Sequence, residues 1–376
     1  MNLLTIDGSQ GEGGGQILRT ALSLSAILGR PLRIVNIRAG RKQPGLRPQH
    51  VAAVKAAAAI CNARFEGATE HSGELLFEPQ TPPQAGAYHF EIGTAGSTTL
   101  LLQTVLIPLA LAGGHSQVTI GGGTHVSWSP PFEYLEQVVL PAIAALGFRA
   151  ELSLVRWGFY PKGGGKLIAD IDGAVRPALG SAPKQPAAGS QPQAVWSHSR
   201  GELCALSVHS AAANVGNQVT ARQASQAYNR LAAVGLHAAT HLLNPSSVGP
   251  GTCLWILAEY AGGVRAGFSG YGRQGYPAER VADDAVNAFL AFHAGDAPVD
   301  SLLADQLVLP LCLTDQPITY RTSEVTQHLL TNIWVVAQFL GECFEVDGEL
   351  GQPGEVRYLG ASQGRRQTTD GSSSGL

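Results

Sequence analysis

Two sets of residues in this 376-residue chain could do phosphoryl chemistry. The first is the run Arg38-Ala-Gly-Arg41-Lys42-Gln-Pro-Gly-Leu-Arg47-Pro-Gln49-His50. A guanidinium is a planar fork of donors that meets phosphate oxygens two at a time. Three arginines and a lysine this close, in a chain with only 25 Lys and Arg in all, point to an anion. A solvated loop with surface ion pairs is the bland alternative. The second set is Asp305-Gln306, which interrupts the apolar start Leu302-Leu303-Ala304, and His328, which stands just before Leu329-Leu330. A lone histidine at a helix start is more often a cap or a surface residue than a reactant. Spacing alone makes His328 only a candidate.

Other stretches invite chemistry and fail its tests. Gly11-Glu12-Gly13-Gly14-Gly15-Gln16 is not a dinucleotide fingerprint, because Gln16 occupies the sixth position of GxGxxG. Gly163-Gly164-Gly165-Lys166 is not a Walker loop: Tyr160 replaces its first Gly and Leu167 its Ser or Thr. What survives is general. A glycine-flanked helix N-terminus offers free amides and a positive dipole end to an anion, and close packing explains such glycines equally well. His237 and His241, four apart, could share a helix face, but Ala238 stands where HExxH needs Glu, which argues against a zinc hydrolase. The five cysteines are odd in number and form no CxxC pair, as expected of reduced thiols in a cytoplasmic protein. A net charge of −3 argues against a broad nucleic-acid coat, not against a grip on one terminus.

The elements that must position these residues are legible in part. With 44% hydrophobic and 14% charged residues, the chain has the makings of a folded core, and its 46 glycines fall in short clusters that read as turns. The most apolar stretch, 100–112, is too short to span a bilayer and is broken by Gln103 and Pro108, so it reads as a buried helix and no membrane is expected. The opening residues, Met1 to Asp7, lack the basic and apolar regions of a signal peptide, so none is expected. An order of strand, helix, strand, helix, strand, strand recurs. Its first copy runs from strand Leu3–Asp7 through helices at 16–28 and 49–61 to the short strand 74–78. Its second runs from 89–92 through helices 97–113 and 132–146 to strands 148–155 and 166–171. Its third is interrupted by the Pro/Gly/Ser-rich run 180–192. After that run, strand 203–209, helix 220–234, strand 253–260, a Gly-rich stretch and helix 278–293 form a pattern of their own. The third copy resumes with helix 302–313, strand 318–321, helix 329–339 and strands 343–346 and 355–358. The fold expected is α/β (α+β), with three related units. A main domain covers 1–183 and 298–360, a smaller inserted domain covers 184–297, and the polar tail 361–376 is expected to be disordered.

Taken together, these stretches resemble the RNA 3'-terminal phosphate cyclases. The resemblance rests on Asp7-Gly-Ser-Gln-Gly-Glu-Gly-Gly-Gly-Gln-Ile-Leu-Arg19, Ile37-Arg-Ala-Gly-Arg41, Pro44-Gly-Leu, Gln49-His50, Gly93-Thr-Ala-Gly-Ser97, Leu102-Gln-Thr-Val105, Gly158-Phe-Tyr-Pro161, Leu303-Ala-Asp-Gln-Leu307 and His328, in order along nearly the whole chain. It implies three repeats of the fold of the C-terminal domain of bacterial translation initiation factor 3, with a domain inserted in the last. It implies ATP and a divalent metal (Mg or Mn) as cofactors and RNA with a 3'-terminal phosphate as substrate. A homodimer stays open.

By the same resemblance the catalytic set is His328, Glu12, Arg19, Arg38, Arg41, Gln49 and His50. The nucleotide set is Gln103, Pro130, Pro131, Tyr134, Leu302, Leu303, Ala304, Asp305 and Gln306, with the prolines and Tyr134 packing the adenine. Glu12 and Asp305 are the metal candidates. His328 is expected to become adenylylated and pass AMP to the RNA phosphate, whose neighbouring 2'-hydroxyl then closes the ring. One departure stands out: Leu302 occupies the place of an aromatic that commonly stacks on adenine, which implies weaker ATP binding. Two other classes remain: a cyclase-like binding protein of ribosome assembly, which would lack the catalytic His, and an enolpyruvyl transferase, of related repeat architecture, in whose direction none of these segments is replaced.

Overall fold

The computed structural model describes residues 2–174, 196, 199–216, 218–314 and 316–360. The Pro/Gly/Ser-rich run at 180–192 and the tail expected to be disordered lie outside them. The chain opens with β1 (Leu4–Asp7), α1 (Gly15–Leu28), β2 (Leu32–Val35), α2 (Pro48–Cys61), β3 (Arg64–Glu66) and β4 (Leu75–Glu78). Their sheet runs β1-β2-β4-β3, with β1 and β2 parallel and the other pairs antiparallel. A parallel step needs a crossover, and α1 supplies it. Ile17, Leu18, Ala21, Leu22 and Leu24 bury one side of α1, and Gly29, with φ 62°, ends it in the left-handed conformation that only a residue without Cβ adopts freely.

Next come β5 (Ala87–Glu91), α3 (Thr98–Ala110), β6 (His115–Gly122), α4 (Phe132–Tyr134), a π-helical segment (Leu135–Val139), α5 (Leu140–Ala145), β7 (Arg149–Arg156) and β8 (Gly165–Asp172). Their sheet, β5-β6-β8-β7, has the same order and the same pairing senses as the first. Ser97 caps α3 by accepting the Leu100 amide at 3.2 Å.

A separate body follows: β9 (Leu203–Ala213), α6 (Val219–Ala232), β10 (Ala239–Leu243), β11 (Gly251–Tyr260), β12 (Arg265–Tyr271) and α7 (Ala278–Ala294), with sheet order β10-β9-β11-β12. Two of these strands are absent from the sequence reading. β10 is exposed along most of its length and shows no apolar alternation. It also corrects the idea that His237 and His241 share a helix face, since His241 lies on β10 and its ring stacks on His209 at 4.5 Å. β12 contains Gly267 and Gly270, which look like turn residues. Gly267 is there because a Cβ would meet the Tyr134 ring at 2.7 Å.

The chain then returns with α8 (Ser301–Leu311), β13 (Ile318–Thr322), α9 (Gln327–Leu340), β14 (Phe344–Asp347) and β15 (Gly354–Tyr358). This sheet has three strands, β13-β15-β14. Where the first two sheets begin with a parallel strand, among the described residues the edge of β13 has only an isolated parallel bridge between Val299 and Thr322.

The result is a mixed α/β molecule of several small mixed sheets. One core joins the first, second and last stretches, and a second lies within 203–292, around Val208, Ile256, Val286 and Phe289. A column of rings connects the two bodies. His125 stacks on Trp157 at 3.8 Å, Trp157 approaches Trp255 at 6.1 Å, and Trp255 stacks on His209 at 4.6 Å. At the other side the two ends of the smaller body meet. The Arg200 amide donates to Asp296 O at 3.2 Å, and its guanidinium donates to Phe292 O at 2.7 Å. All five cysteines are free thiols. Among the described residues no helix is long and apolar enough to cross a membrane.

Candidate active site

α1 packs on α9, and α9 packs on α8. α9 starts behind Thr326, whose hydroxyl accepts the Leu329 amide at 3.1 Å. This cap puts His328 in the first turn, half exposed, with its Nδ1 2.7 Å from Glu12 Oε2 but without the alignment of a hydrogen bond. Burial lowers the pKa of the ring. Arg19 and Arg41 push the same way, and Asp305 opposes them. The imidazole is therefore neutral at pH 7. A carboxylate beside Nδ1 favours the proton there, which leaves the lone pair on Nε2.

Glu12 is fixed from three sides. Its amide donates to Thr331 Oγ1 at 3.3 Å, and its Oε1 accepts from Arg41 Nη2. The preceding Gly11 has φ 56° and lies so close to the Thr331 hydroxyl that a Cβ would collide with it. Asp305, on α8, is buried, and its Oδ1 has no hydrogen-bond partner. Burial pushes its carboxyl up to about 7, against the pull of His328 and Arg19. Arg19, on α1, is buried too. Its Nη2 donates to Gln16 Oε1 at 2.5 Å while its Nε has no partner, and burial pulls its guanidinium down to about 10. Buried polar groups short of partners, with strongly moved pKa values, mark a place where something else binds.

A set of donors faces the same spot. His50, on α2, accepts the Arg47 amide at Nδ1, 3.0 Å away, so its proton is on Nε2. Burial, with Arg19, Arg38 and Arg47 nearby, brings its pKa down to about 3, and the ring stays neutral. A Cβ on Gly15 would sit 2.6 Å from His50 Nε2 and 2.9 Å from Arg19 Nη1. The N-cap of α1 is Gly14, which provides no side-chain cap. An uncapped helix N-terminus, an imidazole N–H and a guanidinium therefore converge on Gly15, a geometry suited to an oxyanion.

The other expected residues have varied placements. Arg38 is turned to its own loop, donating to Gln43 O at 2.7 Å and Gly45 O at 2.8 Å. Gln49 Oε1 accepts the Ser97 amide at 3.2 Å and braces the start of α3. Gln103 on α3 donates to Gln306 on α8 at 2.5 Å, and both line a cavity of about 50 Å³ with Arg19 and Asp305. Leu302 is 43% exposed, while Leu303, Ala304, Pro130 and Pro131 are buried.

Tyr134 departs most from expectation. It is buried, its hydroxyl donates to Asp300 Oδ1 at 2.6 Å, and Gly267 lies against its ring. Asp300 in turn caps α8, accepting the Leu302 and Leu303 amides at 3.0 Å. Tyr134 here steadies the helix that carries Asp305 and presents no open face to a base.

Sequence reasoning missed Gln16, Thr331 and Asn332. Asn332 Nδ2 donates to Asp305 O at 2.9 Å, and its Oδ1 accepts from Thr20 Oγ1 at 2.5 Å. The available signal was their spacing: Thr331 and Asn332 lie three and four residues beyond His328, on the same helix face. Among the described residues no three metal-binding side chains gather. Glu12 is held by Arg41 and faces His328, so the unpartnered Asp305 Oδ1 is the main oxygen left for a hard cation.

Comparison with known proteins gives the family. The family model described as RNA 3'-terminal phosphate cyclase matches residues 10–346. The RNA 3'-terminal phosphate cyclase of Gloeothece citriformis is 43% identical over 343 residues, 90% of this chain and 93% of its own. That of Methylococcus capsulatus is 44% identical over 345 residues, 90% and 91% of the two chains. That of Pyrococcus furiosus is 40% identical over 357 residues, 95% and 99%. Among solved structures, the enolpyruvyl transferase NikO from Streptomyces tendae aligns at 15% identity with a TM-score of 0.25, covering 46% of this chain and 31% of that one, a likeness too slight to argue from. By its match across nearly its whole length, the chain belongs to the RNA 3'-terminal phosphate cyclase family.

Proposed function

We propose that this protein uses ATP to convert a 3'-terminal phosphate of RNA into a 2',3'-cyclic phosphodiester through a covalent His328–AMP intermediate. The observation that carries this reading is the neutral His328, with Glu12 at Nδ1 and Nε2 left to react, beside the incompletely bonded Arg19 and Asp305. Nε2 attacks the α-phosphorus of ATP, a P–N bond forms, and pyrophosphate leaves. An oxygen of the RNA 3'-phosphate then attacks the same phosphorus. The P–N bond breaks, and AMP is joined to the RNA through a new anhydride. Last, the 2'-hydroxyl attacks the 3'-phosphorus, loses its proton and expels AMP. This closure is intramolecular, so proximity supplies much of its rate.

Each residue has a task in this scheme. Arg19, Arg41, His50 and the open N-terminus of α1 offset charge on the phosphates. Glu12 holds the tautomer of His328. Gln103 and Gln306 contact the nucleotide, with Leu302 over the base. Arg38 and Gln49 hold the loops that shape the site. Asp305 would hold a divalent cation, which would supply neutralisation of phosphate charge.

We assign the architecture to three related units, the third having its first strand replaced by the domain inserted at 184–297. The shared order of the first two sheets and the isolated Val299–Thr322 bridge beside β13 support this. Five free thiols support a cytoplasmic location. The test is incubation with α-labelled ATP and Mg or Mn. An acid-labile, base-stable protein–AMP adduct is expected, and its absence would favour a cyclase-like protein that binds RNA without reacting.

A further inference from the structure

A crevice of about 900 Å³ lies between the second sheet's loops and the inserted body. Gln49 is part of its wall, and the next residue, His50, belongs to the donor set around Gly15. The start of α2 therefore carries a wall residue of the crevice and a donor of the proposed phosphate site in consecutive positions. Its rim carries two aromatic rings left open among the described residues: Trp128 is 99% exposed and Tyr160 77%. Trp128 has φ 67°, a conformation a bulky residue rarely adopts, and Ser129 Oγ fixes its turn by donating to Val126 O at 2.9 Å. Such an outlier points to function at the position. Among the described residues the lining includes no Asp or Glu, and its one charged side chain is Arg273, from the inserted body. The column of His125, Trp157 and Trp255 ties the two walls together, so the slot has a fixed width.

We propose that this crevice holds the nucleotides preceding the terminal phosphate of a single-stranded RNA, with Trp128 and Tyr160 as stacking platforms for its bases. The proposal rests on the cyclase reading for the position of the RNA terminus. An aromatic platform accepts the face of any base, and a lining free of carboxylates tolerates the backbone. The inserted body thus becomes one jaw of the RNA site. Recognition is by stacking, so affinity grows with the length of the strand and depends little on its sequence.

The test is fluorescence anisotropy with a 5'-labelled RNA oligonucleotide ending in a 3'-phosphate, beside turnover of the same RNA and of a nucleoside 3',5'-bisphosphate. Trp128→Ala is expected to raise the Kd and KM for the oligonucleotide about tenfold and to leave the bisphosphate KM and His328 adenylylation unchanged. Trp128→Phe is expected to restore most of the affinity. Tyr160→Ala is expected to add to the loss. Unchanged oligonucleotide affinity in Trp128→Ala and in the double variant overturns the proposal. So does a loss of self-association in sedimentation with RNA affinity intact, which would make the rim a contact between copies. Anisotropy needs no turnover, so a wild-type protein that binds RNA in this way yet never cyclises it refutes the cyclase reading alone.

Discussion

The starts of α2 and α9 each place a histidine in a helix's first turn, each near Arg19, each neutral at pH 7. They are nonetheless chemical opposites. His50 is buried and accepts a backbone amide at Nδ1, so its exposed chemistry is an N–H. His328 is half exposed and has a carboxylate at Nδ1, so its other nitrogen keeps a lone pair. One ring can only donate, and the other can attack. Neutrality does not make a histidine a nucleophile. The neighbour that fixes the tautomer does.

The comparison can be broken at several points. His328→Ala should lose the labelled AMP adduct and about 10⁴-fold or more of turnover, since removing a nucleophile leaves only binding and charge stabilisation. An adduct that persists would move the reaction to another residue. Glu12→Gln keeps the shape but removes the charge that selects the tautomer. Adenylylation should fall by about 10²–10⁴-fold in single-turnover assays, while ATP affinity changes little. His50→Gln should still form the adduct but lower turnover by about 10²-fold, the usual effect of losing one preorganised donor. If it abolished the adduct, the division of labour between the two rings would be wrong.

Asp305 separates stability from function. Its folded pKa, about 7, lies above the ordinary 3.8, so the folded protein holds the proton more tightly than the unfolded chain. The stability this confers is complete below pH 3.8 and is lost as pH rises through about 7. Asp305→Asn should therefore raise the melting temperature at pH 8 relative to wild type, with little difference at low pH, and still impair turnover. The smallest effect expected is at Leu302, which is exposed beside the proposed base site. Leu302→Tyr should tighten apparent ATP affinity about fivefold, the worth of one stacking contact near 1 kcal/mol. Equal or weaker affinity would remove Leu302 from the adenine pocket.

Much of this was legible in the sequence, for particular reasons. α1 and α3 announce themselves by apolar runs, the first stopped by Gly29 and the second opened by Ser97, and α9 by its own apolar run. The order of elements exposed the correspondence between the first two sheets. β12 stayed hidden because Gly267 and Gly270 serve packing against Tyr134 and α7, which no local rule reveals. The choice Arg38 makes between ligand and loop was hidden as well, since its φ of 56° turns the side chain onto Gln43 and Gly45. Tyr134 was expected against the adenine, and no local pattern betrays its hydroxyl partner Asp300, 166 residues away.

The clasp formed by Arg200 and Asp296 has a consequence for how the chain could be rewired. Because the smaller body begins and ends at one point, the rest of the molecule experiences it as a closed loop of almost no span. A circular permutant opened within that loop would leave α1, α2, α8 and α9 each uncut, with the last strand joined to the first through the fused termini. Its adenylylation should survive even where its grip on long RNA does not.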